Sequence, residues 1–319
     1  MSGPAGALGM LSLAVLGVGT VLLGGVYAVA VLDRVVGRAV ARMPVRLAES
    51  AAAPAREAAL LLLQRRTVTE RPDAVAWALA PALLGSLAAA ALVAIPLSPA
   101  LALPDIGSGI VYFGAAMAMV MVAVYLHGWS ANSVFPLIGA YRFVAQALSF
   151  EMPLALVLIA AALPAESLSV GDIVRSQAAT WNVVRQPLGL PIYLVAGLGL
   201  AFWGPLGFPD AADLAGGTRA ELSGAALLLW RAARSAVLVA VAAMGAAAFL
   251  GGWLGPWLPG AVWMVLKTLA LIVVLLAAGH LVARVRLERF VVVAWTVLIP
   301  LALVDIFVSG LLALRGAGR

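Results

Sequence analysis

AVWMVLKTLALIVVLLAAGHLVA (residues 261–283), RVRLER (284–289) and FVVVAWTVLIPLALVDIFVSGLL (290–312) decide the fold. Each long run exceeds the roughly 20 apolar residues that a helix needs to cross a bilayer core. Inside hydrocarbon every backbone group must bond internally, which selects helices or closed barrels. Barrel strands would alternate polar and apolar residues, and these runs do not. Working outward, six more runs of the same kind occur at about 7–32, 75–98, 107–127, 143–163, 187–206 and 225–250. The expectation is therefore an all-α integral membrane protein. It forms a single transmembrane domain over residues 1–319, with eight transmembrane helices.

Composition agrees. Of 319 residues, 64% are hydrophobic and 11% charged, against about 25% charged in soluble domains. That excludes a water-soluble enzyme, a disordered chain and a nucleic-acid partner. The net charge of +6 is spread between apolar blocks. Without cysteine the chain has no disulfide, iron–sulfur ligation or cysteine zinc site. His127 and His280 lie too far apart in sequence to suggest a metal site. The start, MSGPAGALGM, lacks the basic residues of a cleavable signal, so the first run reads as a retained span.

Basic residues favour the cytoplasmic side. The first inter-helix segment holds Arg34, Arg38, Arg42, Arg46, Arg56, Arg65, Arg66 and Arg71. The third, fifth and seventh add Arg142, Arg219, Arg284, Arg286 and Arg289, while the second and sixth hold none. Odd-numbered loops are thus expected in the cytoplasm and both termini outside, as a multi-pass membrane protein. Within the first loop, Arg46, Glu49, Ser50, Arg56, Glu57 and Gln64 fall on one side of a helical wheel, and Leu47, Ala51, Ala55, Ala58 and Leu62 on the other. This pattern fits an amphipathic helix lying along the membrane surface, kinked or started by Pro54.

Ionisable groups within spans are costly, so each is a functional candidate. The densest constellation runs from Gly128 to Glu151. Arg142, Gln146 and Ser149 share one helix face. Glu151 is expected near the cytoplasmic entrance of the fourth helix, where Pro153 leaves the Ser149 carbonyl without its usual donor. A carboxylate there suits a proton or a polar headgroup. Lys267 could load a proton or snorkel outward. Asp305 could be one half of a buried pair, and His280 with Arg284 reads as interfacial. The 208–224 loop, with Asp210, Asp213 and Glu221, reads as solvated or as a docking surface for a soluble partner.

These motifs resemble the quinone-proximal membrane subunit, the H subunit, of bacterial respiratory complex I, the proton-pumping NADH:quinone oxidoreductase. The family pattern G-W-x-x-N-S, L-x-G-x-x-R, A-Q, S-[YF]-E is met from Gly128 to Glu151. Gln186-Pro187-Leu188-Gly189, Glu221-Leu222-Ser223-Gly224, Phe249 through Pro256, Trp263-x-x-Leu266-Lys267-Thr268 and Arg284-x-Arg286-x-Glu288 follow in order. The resemblance implies eight transmembrane helices whose cytoplasmic loops dock a peripheral arm. It implies a tunnel where quinone, as substrate, meets an iron–sulfur cluster held by a partner subunit. It also implies buried acids signalling toward antiporter-like membrane subunits, with membrane lipid around the whole. Flavin and iron–sulfur clusters are expected in those partners and no metal in this chain. On this basis Glu151, Asp210, Asp213 and Glu221 are proton or coupling candidates, and Arg34, Arg142 and Gln146 are quinone-tunnel candidates.

Departures from the pattern bear on mechanism. Leu60 and Gln64 replace family lysines, and Arg65 replaces a carboxylate. Leu200 stands for an acid, Trp203 for an arginine, Gly207 for an aspartate, and Arg234 for a glutamate. Arginine stays charged and cannot relay protons, so Arg234 needs a partner, for which Glu151 is a candidate. Two other readings remain. One is a divergent relative anchoring a hydrogenase-type or partial complex without competent quinone and proton coupling. The other is a stand-alone transporter, whose inverted repeats are not evident.

Overall fold

The computed structural model describes residues 4–99, 106–212 and 216–317. Among them every regular element is helical: α1 (Pro4–Val40), α2 (Leu47–Leu63), α3 (Ala74–Val93), α4 (Gly109–Ala118), α5 (Val120–Ser130), α6 (Val134–Ala162), α7 (Val170–Ser176), α8 (Asn182–Arg185), α9 (Gly189–Leu200), α10 (Gly224–Phe249), α11 (Gly260–Leu281), α12 (Leu287–Val293) and α13 (Ile299–Ala317). Seven stretches are long and apolar enough to cross a membrane, with mean hydropathies of 1.6 to 2.5. The expected fifth span, 187–206, is a helix only over Gly189–Leu200. Its 12 residues rise about 18 Å, short of a bilayer core of roughly 30 Å. Gly204, at φ +56°, turns the chain immediately afterwards; a Cβ there would lie 2.6 Å from the Gly279 Cα of α11.

Other boundaries differ for identifiable reasons. The first helix runs on to Val40, so Asp33, Arg34 and Arg38 stand on α1 rather than in a loop, and Arg42 at φ +54° ends it. The third span breaks at Met119 between α4 and α5. The fourth starts nine residues earlier than expected, at Val134, after a turn in which Asn132 has φ +49°. Glu151 therefore lies deep in a continuous helix, not at its entrance. The helix expected from Arg46 to Gln64 is present as α2 and continues through Pro54. In the last span a π-helical turn, Ala294–Leu298, joins α12 to α13. Pro300, just inside α13, has no N–H for the Thr296 carbonyl, which accounts for the local loosening.

The bundle is organised around α10. It packs on α3, α11, α1, α9 and α2, and 89% of its most apolar 18-residue window is buried. Its alanine-rich sequence lets neighbouring backbones approach closely, the usual basis of helix packing in lipid. By contrast α13 presents Leu303, Phe307 and Leu314 outward, as a lipid-facing helix should. A second layer forms where α6 packs on α5 and α9 and receives the 204–222 loop.

Candidate functional site

The polar site gathers where that loop lies against α6 and α10. Gly139 makes the close approach possible. A Cβ there would stand 2.5 Å from the Thr218 nitrogen and 2.6 Å from the Gly217 Cα. One turn along α6, Arg142 Nη1 donates to the Gly216 carbonyl at 2.6 Å, and its guanidinium lies 4.6 Å from the Phe208 ring centroid. Another turn on, buried Gln146 donates from Nε2 to the Gly199 carbonyl at 2.8 Å, clamping the end of α9. Of the residues read as one face, Arg142 thus turns to the loop, Gln146 to the end of α9, and Ser149 donates to the Ala145 carbonyl of its own helix.

Asp210 sits at the centre, 2% exposed. Its Oδ2 pairs with Arg234 Nη1 at 2.5 Å and Arg219 Nε at 2.9 Å. Its Oδ1 accepts from Trp230 Nε1 at 3.0 Å and the Thr218 hydroxyl at 3.2 Å. Arg219 Nε also donates to the Asp210 carbonyl at 2.8 Å. Arg234 is therefore matched by Asp210, not by Glu151. The loop read from sequence as solvated or as a docking surface is largely buried over its described residues, with the Asp210 carboxylate neutralising a cation of α10. Arg234 Nη2 further donates to the Phe202 carbonyl at 3.0 Å, and its guanidinium lies 4.0 Å from the Trp203 ring centroid. Arg234 and Trp203 thus stack as a cation on an indole.

His127, buried in α5, stacks on Trp230 with ring centroids 3.9 Å apart. Its Nε2 lies 3.1 Å from the Thr218 carbonyl, which can only accept, so Nε2 carries the proton. His127, Thr218, Arg219 and Trp230 are site residues that the sequence did not single out. The only signal was the spacing of Trp230 and Arg234, four apart on α10.

The other candidates are distributed around this centre. Glu221 accepts from the Ser133 hydroxyl at 2.9 Å, apart from Asp210. Arg34 of α1 pairs with Glu57 of α2, which also binds Arg231 of α10 at 2.5 Å. Arg38 donates to Glu49 at 2.9 Å and Tyr27 to the Ala51 carbonyl at 2.5 Å, completing the attachment of α2 to α1. The Arg38 guanidinium holds the Glu49 carboxyl below its ordinary range. Glu151 is half-buried in α6, and among the described residues it has no cation or hydrogen-bond partner. Asp213 lies outside the described residues.

Lys267 is turned inward rather than snorkelling. Its Nζ donates to the Gly252 carbonyl at 3.0 Å and the Leu254 carbonyl at 2.6 Å, 4.3 Å from the Trp181 ring centroid. His280 reaches Asp33 at 2.9 Å, joining α11 to α1. Asp305, 3% exposed, has no basic partner among the described residues. Nor do the described residues contain a group of three or more histidines or carboxylates placed to hold a metal ion.

Residues 13–310 match the family model described as NADH dehydrogenase. The NADH-quinone oxidoreductase H subunit of Anoxybacillus flavithermus is 34% identical over 257 residues, covering 79% of this chain and 77% of its own. That of Geobacillus kaustophilus is 34% identical over 255 residues, covering 78% and 76%. The H subunit numbered 1 of Rhodopseudomonas palustris strain BisA53 is 34% identical over 239 residues, covering 75% of each. Taken with the seven apolar helices, these matches mean that the chain belongs to the NADH dehydrogenase family of multi-pass membrane proteins, the H subunits of NADH-quinone oxidoreductase complexes.

Proposed function

We propose that this chain is the quinone-proximal membrane subunit of a proton-translocating NADH:quinone oxidoreductase, anchoring an iron–sulfur-bearing peripheral arm and walling the chamber in which quinone is reduced. The match of residues 13–310 to the family carries this reading. In it α9 serves as a short eighth span, α2 lies along the membrane surface, and both termini face outside. Antiporter-like membrane subunits adjoin the chain in the lipid. Arg34, Arg142 and Gln146 line the approach for the quinone headgroup, each held in place by the contacts above.

The candidate carboxylates divide by environment. A proton carrier must take up and release its proton. Asp210 accepts bonds from Arg234, Arg219, Trp230 and Thr218, a setting that favours a fixed negative charge. Glu151, which among the described residues lacks such partners, suits proton exchange beside the tunnel. Glu221, and Asp213 in the same loop, extend the coupling path. The test is quinone reduction by NADH in the purified complex and proton uptake in proteoliposomes. Glu151→Gln is expected to lower both at least tenfold while the complex assembles. Wild-type rates in that variant would remove Glu151 from the mechanism.

The stacking of Arg234 on Trp203 favours a second reading, a divergent copy that keeps the anchor and has lost part of the coupling path. In that case the purified complex reduces quinone without moving protons, or does not accept electrons from NADH at all.

A further inference from the structure

The far end of α6 from Asp210 turns through Leu163–Ala165 and packs on α13. A cavity of about 520 Å³ opens there, lined by Glu166, Arg185, Gln186, Ser309 and Leu312 among others. Two of its polar lining groups are buried and unmatched. Gln186 and Ser309 are each 1% exposed, yet among the described residues Gln186 Oε1 and Ser309 Oγ have no hydrogen-bond partner. The Gln186 amide cannot simply turn over, because Nε2 is committed to the Ala160 carbonyl at 2.6 Å.

One helical turn from Ser309 on the same face of α13 stands Asp305, whose Oδ2 is also buried and unmatched. A Cβ on Gly189 would lie 3.1 Å from Asp305 Oδ2 and 3.4 Å from Gln186 Oε1. The two oxygens therefore converge on one small space that only glycine leaves open. Two acceptors cannot bond each other. A proton on Asp305 Oδ2 supplies the donor that this space lacks, whether it reaches Gln186 Oε1 directly or through a water. The elements packed on α13 are α6, the Leu163–Ala165 turn, the Ala294–Leu298 turn and α9. Their charged residues, with those flanking them, are Arg142, Glu151, Glu166 and Arg185. Arg142 is bound to the Gly216 carbonyl at the other end of α6 and Arg185 to the Ser176 carbonyl; among the described residues none pairs with Asp305. An unpaired ionised carboxylate in such a place is strongly disfavoured.

We propose that Asp305 is a proton-binding site that exchanges with water in this cavity, on the side of the membrane domain opposite Asp210. Two unmatched polar atoms in its lining, Gln186 Oε1 and Ser309 Oγ, and a cavity of this size meet the requirement that buried water have both room and partners, with Asp305 one helical turn from Ser309. In the exchange, the O–H bond of the Asp305 acid breaks and its proton passes to a cavity water, giving hydronium. The carboxylate left behind accepts from a cavity water that the Ser309 hydroxyl also holds, and uptake reverses the step. No electron moves and no other reactant is needed. Gln186 holds the acid in place without itself titrating.

The assembled complex in lipid nanodiscs allows the test without turnover, so its outcome is separate from that of the quinone reading. Infrared spectra should contain a protonated-carboxyl C=O band that shifts in D2O and is lost in Asp305→Asn. Gln186→Leu, which removes the acceptor, should move the band without abolishing it. Independently, the chain has no cysteine, so Ser309→Cys provides its single thiol. Peptide mapping should find it alkylated by a membrane-impermeant reagent, with labelling lost when Leu312→Trp fills the cavity. An unchanged carboxyl band in Asp305→Asn, a band that does not respond to D2O, or an unreactive Ser309→Cys would each overturn the proposal.

Discussion

Replacing Asp210 by alanine should be the most damaging single change at the polar site. Its carboxylate is almost fully buried and, among the described residues, is the one side-chain anion that Arg234 touches; Arg219 shares it. The Asp210 and Arg234 side chains are 1% and 13% exposed, so solvent screening discounts little. Removing one partner of a buried pair costs roughly 3–5 kcal/mol, because the surviving charge stays buried without compensation. Losing the acceptor for Trp230 and Thr218 adds about 1 kcal/mol each if neither finds water. If half of a loss of about 4 kcal/mol falls on the unfolding barrier, irreversible heat inactivation of the complex accelerates about thirtyfold. The assay is the rate of loss of folded complex on heating, followed by fluorescence-detected size exclusion. The cycle with Arg234→Met supplies the control. The double variant should be more stable than Asp210→Ala alone, because the stranded cation is gone. Equal stability of the two would refute the claim that Asp210 acts mainly by neutralising Arg234.

Further outcomes follow from the same geometry. Trp203→Arg should destabilise the complex by about 1–3 kcal/mol, read from the same heating rates, since it removes the indole from the Arg234 guanidinium and sets a second guanidinium against it. Gly139→Ala should cost about 1–3 kcal/mol, because its new methyl meets backbone of Thr218 and Gly217; faster proteolysis of the 204–222 loop is the readout. Glu57→Gln should cost about 1 kcal/mol or less, given side chains 37–43% exposed, and should speed hydrogen exchange throughout α2. Asp172, in the first turn of α7, is held below the ordinary aspartate range by hydrogen bonds from Arg175 and then Ser167. A depressed folded pKa adds stability above the unfolded value, lost as pH falls through the folded one. Asp172→Asn should therefore weaken heat resistance at neutral pH, and the difference should close below about pH 4.

Hydropathy made the spans legible because lipid imposes a length on any helix that crosses it. It misplaced the start of α6 because Arg142 and Gln146 look like membrane-exit residues, yet their donors are satisfied within the protein by the Gly216 and Gly199 carbonyls. The same limit applied to α1. Asp33, Arg34 and Arg38 signalled a loop, while their pairing with His280, Glu57 and Glu49 lets them continue the helix. The partner of Arg234 was illegible for a topological reason. Asp210 is 24 residues away across a turn with no periodicity of its own. By contrast, the small residues Gly128 and Gly139 carried a readable message, since each would place a Cβ within 2.5 Å of a neighbouring atom.

The enclosure of α10 on every side from Ser235 to Phe249 has a consequence for how this part of the sequence can drift. A helix that faces lipid tolerates exchange of one bulky apolar residue for another along its outer stripe, so accepted changes recur every three to four positions. A helix with no outer stripe has no such rhythm. Saturation mutagenesis should accordingly give periodic tolerance along α11 and α13, and along that stretch of α10 an almost unbroken refusal of anything larger than alanine wherever alanine or glycine now stands.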